Sequence, residues 1–372
     1  GLPKSILFWR SLIQWLGGLG ILTLFLAITF RSNGAYFQLF SAEAHKIDSA
    51  RPTPNIYRTA AMLWSIYAGF TLLEAIILKV LGLSVFDSIC HALTTLSTGG
   101  FSTYNASIDY FRQAGYQHYR LIEYTITFFM LVGGVNFLLH FKILTGRFRE
   151  VISDIEFRAF IAIVLGVSAL ILLDRTIGLS ENVFAAFEEN FRKVLFTVSA
   201  VITTTGFGTV DINSNFFPAL SKQLFLVLML IGGSVGSTAG GIKVLRMVIL
   251  GKLFKNQIRR LRLPKRALSQ VIIDHKIFPD DEIRRITGLF FGWLLLILAG
   301  GGITALFADL DAWQSFSGMF SAVGNIGPAY FSVQEMSQLP GIVKLTYILG
   351  MLAGRLEILP VLLIFSPRAW RR

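Results

Sequence analysis

The 372-residue chain is 53% hydrophobic and only 15% charged, with a mean hydropathy of +0.62, which excludes an ordinary water-soluble globular domain. Its formal charge of +12 could suit a nucleic-acid binder. However, the basic residues sit in connections beside apolar runs, where topology and attraction to anionic lipid explain them. The expected partner is therefore membrane lipid and not nucleic acid.

In chain order, the first apolar run spans Ile6 to Phe30 and carries Arg10 near its start and no other charge. Further runs lie at about 60–83, 121–144, 157–173, 220–250, 286–308 and 342–366. Several reach the roughly 20 residues that cross about 30 Å of hydrocarbon as helix. Between paired runs lie shorter segments at about 86–97, 184–202 and 312–323, each followed by a polar loop centred on glycine. These loops read Thr98-Gly99-Gly100-Phe101, Thr204-Thr205-Gly206-Phe207 and Asn325-Ile326-Gly327-Pro328. A segment this short enters a bilayer as a half-helix and returns as extended chain, provided protein or water surrounds its backbone.

One unit thus recurs: apolar span, short amphipathic segment, glycine loop, second apolar span. It gives a second repeat at 57–146, a third at 156–250 and a fourth at 283–366. The closing spans carry small-residue clusters at Gly133-Gly134, Gly232-Gly233, and Gly350 with Gly354, and the first span has a counterpart at Gly17-Gly18. Residues 1–30 are therefore expected to be the closing helix of a first repeat whose opening helix and loop would precede Gly1. The expected fold is an all-α polytopic membrane protein with pseudo-fourfold membrane-pore loop-membrane repeats, as in potassium channels.

The basic connections place one side of the membrane. Lys252, Lys255, Arg259, Arg260, Arg262, Lys265 and Arg266 follow a span with no acid among them. Arg31, Arg51, Arg58, Arg147, Arg149, Arg158, Arg368, Arg371 and Arg372 flank other spans. By the positive-inside rule these connections are cytoplasmic and the loops face outward. Cys90 is alone in an apolar stretch, where an inert thiol is expected, and His45, His91, His118, His140 and His275 form no ligand motif. No cofactor is expected.

Four loops around one axis suit a dehydrated cation, because rings of backbone carbonyls can replace its water. Glycine permits the φ > 0 conformations that turn successive carbonyls inward. The candidate filter is Thr98, Gly99, Gly100, Thr204, Thr205, Gly206, Asn325, Ile326 and Gly327, with the Thr and Asn side chains bracing the loop backbone. Metal binding would go through filter carbonyls only. An ordinary Thr/Gly turn is the plainer reading of one loop, but not of three at matched positions.

At these residues the sequence resembles the Trk/Ktr/HKT superfamily of potassium transporters, and within it the bacterial TrkH and TrkG membrane subunits. The likeness also includes Phe8-Trp9-Arg10, Gln14 to Gly20, the stretch Gly232 to Lys243, and Gly354-Arg355-Leu356-Glu357. It implies potassium as the transported substrate, with no cofactor and no enzymatic chemistry. It also implies a gate beneath the filter, built from Gly232, Gly233, Ser234, Gly236, Ser237, Thr238, Gly240 and Gly241 with Arg355. The residues give that gate a rationale: interior glycines cost a helix about 1 kcal/mol each, so the middle of the 220–250 run should be loop. Tight small-residue packing is the alternative; a phosphate loop fails because Gly240-Gly241-Ile242-Lys243 lacks the Gly-Lys-Ser/Thr order.

Arg355 at membrane depth should face a cavity or a partner, and Glu357 points to another face of its helix. Glu74 is expected to pair with Lys79 or to lie at the interface. By resemblance, the partners are a second copy of the chain and a cytosolic ring of nucleotide-binding regulatory subunits docked on the connection from Lys243 to Arg285, in a bacterial inner membrane. A substrate-coupled secondary transporter with a discontinuous helix is the competing reading.

Overall fold

The computed structural model describes residues 2–31, 56–178, 186–262, 272–273 and 276–356. Glu357, the 342–366 run beyond residue 356, His45, His275, and the basic residues Arg51, Lys265, Arg266, Arg368, Arg371 and Arg372 lie outside the described residues.

Helix α1 (Lys4–Arg31) precedes three blocks of similar order. The first contains α2 (Ile56–Val80), the short α3 (Val85–Leu96), α4 (Asp109–Gln113), then α5 (Tyr119–Gly134), α6 (Phe137–Leu144) and α7 (Phe148–Ser153). The second contains α8 (Ile155–Gly178), α9 (Phe187–Ile202), α10 (Ala219–Leu230) and α11 (Val244–Arg260). The third contains α12 (Asp280–Phe307), α13 (Ala312–Gly324), α14 (Val333–Gln338) and α15 (Gly341–Leu356). Among the described residues the all-α reading holds apart from a two-residue antiparallel ladder, Ile272–Ile273 with Lys276–Ile277.

Among the described residues, Arg58–Val80, Ile155–Ile177 and Asp280–Phe307 are long and apolar enough to cross a membrane. The 121–144 run, expected as one span, is instead two helices meeting at 105°. Asn136 explains the break. Its side chain accepts from the Leu138 amide at 2.9 Å and so caps a new helix start. Glu74 also departs from expectation: it is fully buried, and Lys79 Nζ donates to the Leu83 carbonyl at 3.3 Å instead of meeting it. Five residues of helix separate the two side chains by more than a quarter turn, which keeps them off a common face.

Each short helix has a defined start. Ser84 caps α3 through the Asp87 amide, and Asp311 caps α13 in a reciprocal capping box with Gln314. Replacing Asp311 by Ala removes one acceptor from the exposed helix start and should cost about 1 kcal/mol. The thermal midpoint in detergent is expected to fall by about 2 °C, whereas Asp309→Ala, which touches no cap, leaves it unchanged.

The closing helices approach the ends of the short helices closely. A Cβ on Gly354 would lie 1.8 Å from the Val323 carbonyl oxygen, and one on Gly133 would lie 3.0 Å from that of Leu96. The small-residue clusters at Gly133-Gly134 and at Gly350 with Gly354 are thus contact points between a closing helix and the end of a short helix, whereas Gly232 and Gly233 meet Gly240, Ala239 and Gly134 instead. On α1, Gly18 plays the same part: a Cβ added there would lie 2.8 Å from the Cβ of Ser97.

Candidate ion pathway

The three loops leave their helices by the same hydrogen-bond scheme. The amides of Gly99, Thr205 and Ile326 donate to the carbonyls of Thr94, Ala200 and Ser321 at 2.8, 2.9 and 3.0 Å. This six-to-one closure ends a helix when the next residue turns left-handed. Here that residue is Thr98 (φ 50°), Thr204 (φ 54°) or Asn325 (φ 56°), and two positions on Gly100 (φ 64°), Gly206 (φ 79°) and Gly327 (φ 111°) are also left-handed. A non-glycine residue with positive φ is uncommon, and three at equivalent positions mark a built feature. Alternating backbone handedness of this kind aims neighbouring carbonyls to one side. The negative ends of α3, α9 and α13 point into the same region and favour a cation there.

The loops nest in order. A Cβ on Gly100 would lie 1.9 Å from the Thr205 carbonyl oxygen, and one on Gly206 would lie 1.9 Å from that of Ile326. On Gly327 it would meet nothing within 4 Å. Outer segments are stitched in the same sequence: Ile108 and Asp109 donate to the Gly208 carbonyl at 3.1 and 3.3 Å, and Asn213 Nδ2 donates to that of Tyr330 at 2.9 Å. Gly99 is covered by Gln14 of α1, whose Cγ lies 2.3 Å from where a Cβ would sit.

The bracing side chains differ from expectation at two positions, Asn325, whose bonds go to carbonyls of α13 and α15, and Thr204. Thr98 Oγ1 donates to the Ser97 carbonyl at 2.8 Å, and Asn325 Nδ2 donates to those of Val323 and Met351 at 3.3 and 3.1 Å. Thr204, however, does not hold its own loop; its Oγ1 accepts from the Gly240 amide at 2.7 Å. Two further braces carried no sequence signal beyond being hydroxyls on short helices. Thr94 Oγ1 donates to the Phe101 carbonyl at 2.9 Å, and Ser321 Oγ accepts from the Gly327 amide at 3.0 Å.

Outside the loops lies a cavity of about 480 Å³ bordered by Gly206, Gly327, Asp109 and Asp211. Burial pushes the Asp109 carboxyl up, but hydrogen bonds from Arg112 and Gln113 outweigh it and hold it below the usual value. The carboxylate therefore stays ionised at neutral pH, paired with the Arg112 guanidinium at 2.7 Å.

Beneath the loops, residues 231–243 join α10 to α11 without helix. The segment leaves and returns beside itself, with Gly232 donating to the Ile242 carbonyl at 2.8 Å and Ile242 to that of Leu230 at 3.0 Å. Glycine is required at this crossing, since a Cβ on Gly232 would lie 1.8 Å from the Gly240 carbonyl oxygen. All of residues 232–241 are buried. The segment reaches every described loop or short-helix end. Thr238 Oγ1 donates to the Leu96 carbonyl at 2.8 Å, Gly240 bonds Thr204, and a Cβ on Gly240 would lie 2.8 Å from the Gly324 carbonyl oxygen. Ser234 and Phe137 tie it to the α5–α6 break through Gly134 and Gly236 at 2.8 and 3.1 Å. Ser237 Oγ turns inward to the Ser234 carbonyl at 2.6 Å, and Gly233 and Gly241 lie against Ala239 and Gly232. Arg355 Nη1 donates to the Thr238 carbonyl at 3.1 Å. The structure thus brings Arg355 and the glycine/serine cluster together.

Glycine loops at the ends of half-helices, repeated around a common region in a multi-pass membrane chain, define a cation transport protein. The family model described as TrkH, cation transport protein, matches residues 1–372, and the chain belongs to that family. It is 32% identical over 373 residues to the Trk system potassium uptake protein TrkH of Escherichia coli (strain K12), covering 100% of this chain and 74% of that one. The Trk system potassium uptake protein TrkG of the same strain is 31% identical over 380 residues, with 100% and 74% covered. The crystal structure of the potassium transporter TrkH from Vibrio parahaemolyticus matches with a TM-score of 0.83 and 31% identity, covering 100% of this chain and 74% of that chain. The protein is accordingly a transporter and not an enzyme.

Proposed function

We propose that this chain takes up potassium across a bacterial inner membrane, through a four-loop filter to which the carbonyls of Thr98–Gly100, Thr204–Gly206 and Asn325–Gly327 contribute three loops. The observation that carries the reading is the repeated left-handed pair in three nested loops, at the negative ends of three short helices. A cation sheds its water against these carbonyls. Residues 231–243 with Arg355 act as the gate: the buried segment lies under each loop, and the guanidinium adds a positive charge beneath a cation path. The metal bound is the transported potassium alone, and no cofactor takes part.

The assembly we infer is a homodimer carrying a cytosolic ring of nucleotide-binding regulatory subunits. The exposed residues Lys255, Arg259, Arg260 and Arg262 support a docking surface for that ring and contact with anionic lipid.

Purified protein in proteoliposomes should pass rubidium down a potassium gradient, with potassium competing and sodium competing poorly. Saturable exchange of an organic solute without rubidium movement would overturn the reading in favour of a secondary transporter built on a discontinuous helix.

A further inference from the structure

We propose that Glu156 is a positioning residue that latches the intramembrane segment shut by tying it to α11, so that the segment and this helix move as one. The inference rests on the reading of residues 231–243 as the gate.

Glu156 lies in the first turn of α8, just after the basic connection through Arg147 and Arg149, and it is only 1% exposed. A carboxylate so placed at a membrane boundary needs donors. Its Oε1 accepts from the Val235 amide at 2.7 Å and from the Leu245 amide at 3.2 Å. Val235 lies in the middle of the segment, and Leu245 is in the first turn of α11, where amides lack intrahelical partners and a negative charge is favoured. One side chain thus clamps the two together with charge-assisted bonds.

The apolar surroundings reinforce this clamp. Val235 packs in a cluster with Leu245 and Ile249 of α11 and with Ile283 and Ile286 of α12. The 17 residues of α11 continue from the clamp to the exposed Lys255, Arg259 and Arg260. A helix of that length is about 25 Å long and transmits displacement as a rigid body. Movement of its basic end therefore reaches the near end of the segment along the chain at Lys243, and its middle at Val235 through Leu245 and Glu156. Without the carboxylate, the segment keeps its contacts to the filter loops and, on α11, the Val235 packing and the bond from the Val244 amide to the Gly233 carbonyl at 3.2 Å, but it loses its polar tie to α8 and the bridge from Val235 to Leu245.

The test uses the full chain in proteoliposomes and two readouts. One is rubidium flux, and the other is the rate at which a membrane-impermeant thiol reagent modifies Ser237→Cys from the cytoplasmic side. Glu156→Ala should raise both by about tenfold, the loss expected for a charge-assisted bond. Glu156→Gln, which keeps the shape and one acceptor oxygen, should fall between the two. Glu150→Ala, an exposed acid on the same connection, should change neither. Should Glu156→Ala fail to fold, the Gln variant decides, with unchanged flux and modification counting against the latch. Deleting residues 234–238 separates the two readings. If the deletion raises flux while Glu156 variants do not, the latch is wrong and the gate stands. If the deletion leaves flux unchanged, the gate reading falls and the latch with it.

Discussion

Gly206→Ala should reduce rubidium flux by at least an order of magnitude while leaving the protein monodisperse in detergent. The added Cβ would sit 1.9 Å from the Ile326 carbonyl oxygen, well inside any contact distance, and the residue would be held at a φ of +79°. A side chain in that conformation alone costs on the order of 1–3 kcal/mol. The overlap with Ile326 cannot be relieved by a rotamer change, because both sides of the contact are backbone. The loop must move, and a carbonyl displaced by even a fraction of an ångström no longer fits the ion. Gly100→Ala should behave alike through Thr205. The control is Gly208→Ala, two residues away, where a Cβ meets nothing within 4 Å. Its flux is expected to match that of the parent. Equal flux from Gly206→Ala and Gly208→Ala would remove residue 206 from the filter.

Arg355→Ala should produce the opposite sign, with rubidium leaking at a rate about tenfold higher under conditions where the parent is closed. Two contributions act together. The hydrogen bond to the Thr238 carbonyl at 3.1 Å is lost, and a charge-assisted bond of this kind contributes about 1.5–3 kcal/mol. A positive charge is also removed from below the loops. Arg355→Lys separates these effects, because lysine keeps the charge but not the planar fork. If electrostatic repulsion dominates, the lysine variant stays closed; if the hydrogen bond dominates, it leaks nearly as much as alanine. An alanine variant as tight as the parent would dismiss Arg355 as part of the barrier.

The half-helices and their glycine loops were legible because period, length and punctuation agreed three times. Each short amphipathic run stopped at a hydroxyl or amide residue followed by glycine two positions on, and the structure puts those residues in left-handed backbone. The interruption of the 220–250 run was equally readable, since helix propensity disfavours such a density of glycine. What could not be read was direction and partner. Thr204 looks like Thr98 in sequence, yet its hydroxyl serves Gly240 across 36 positions of chain, a contact set only by tertiary placement. The bend after Gly134 was hidden in apolar sequence, with Asn136 as its sole punctuation. Glu156, flanked by Ile155 and Phe157, gave no local sign of its long-range bonds, because a lone acid beginning an apolar span is equally at home as a solvated helix-start residue. Glu74 and Lys79 show the converse error, in which proximity in sequence suggested a pair that helix geometry forbids.

The nesting of the loops is one-sided: Gly100 and Gly206 each receive the carbonyl of the loop that follows in the chain, while a Cβ on Gly327 would meet nothing within 4 Å. Selection therefore acts on adjacent repeats as coupled pairs with a polarity. Revertants of a damaged Gly100 are expected at Thr205 and its neighbours, and those of a damaged Gly206 at Ile326, but not the reverse. The repeats are free to drift apart in their membrane spans, while the loops at Gly100 and Gly206 change only in step with the next one along.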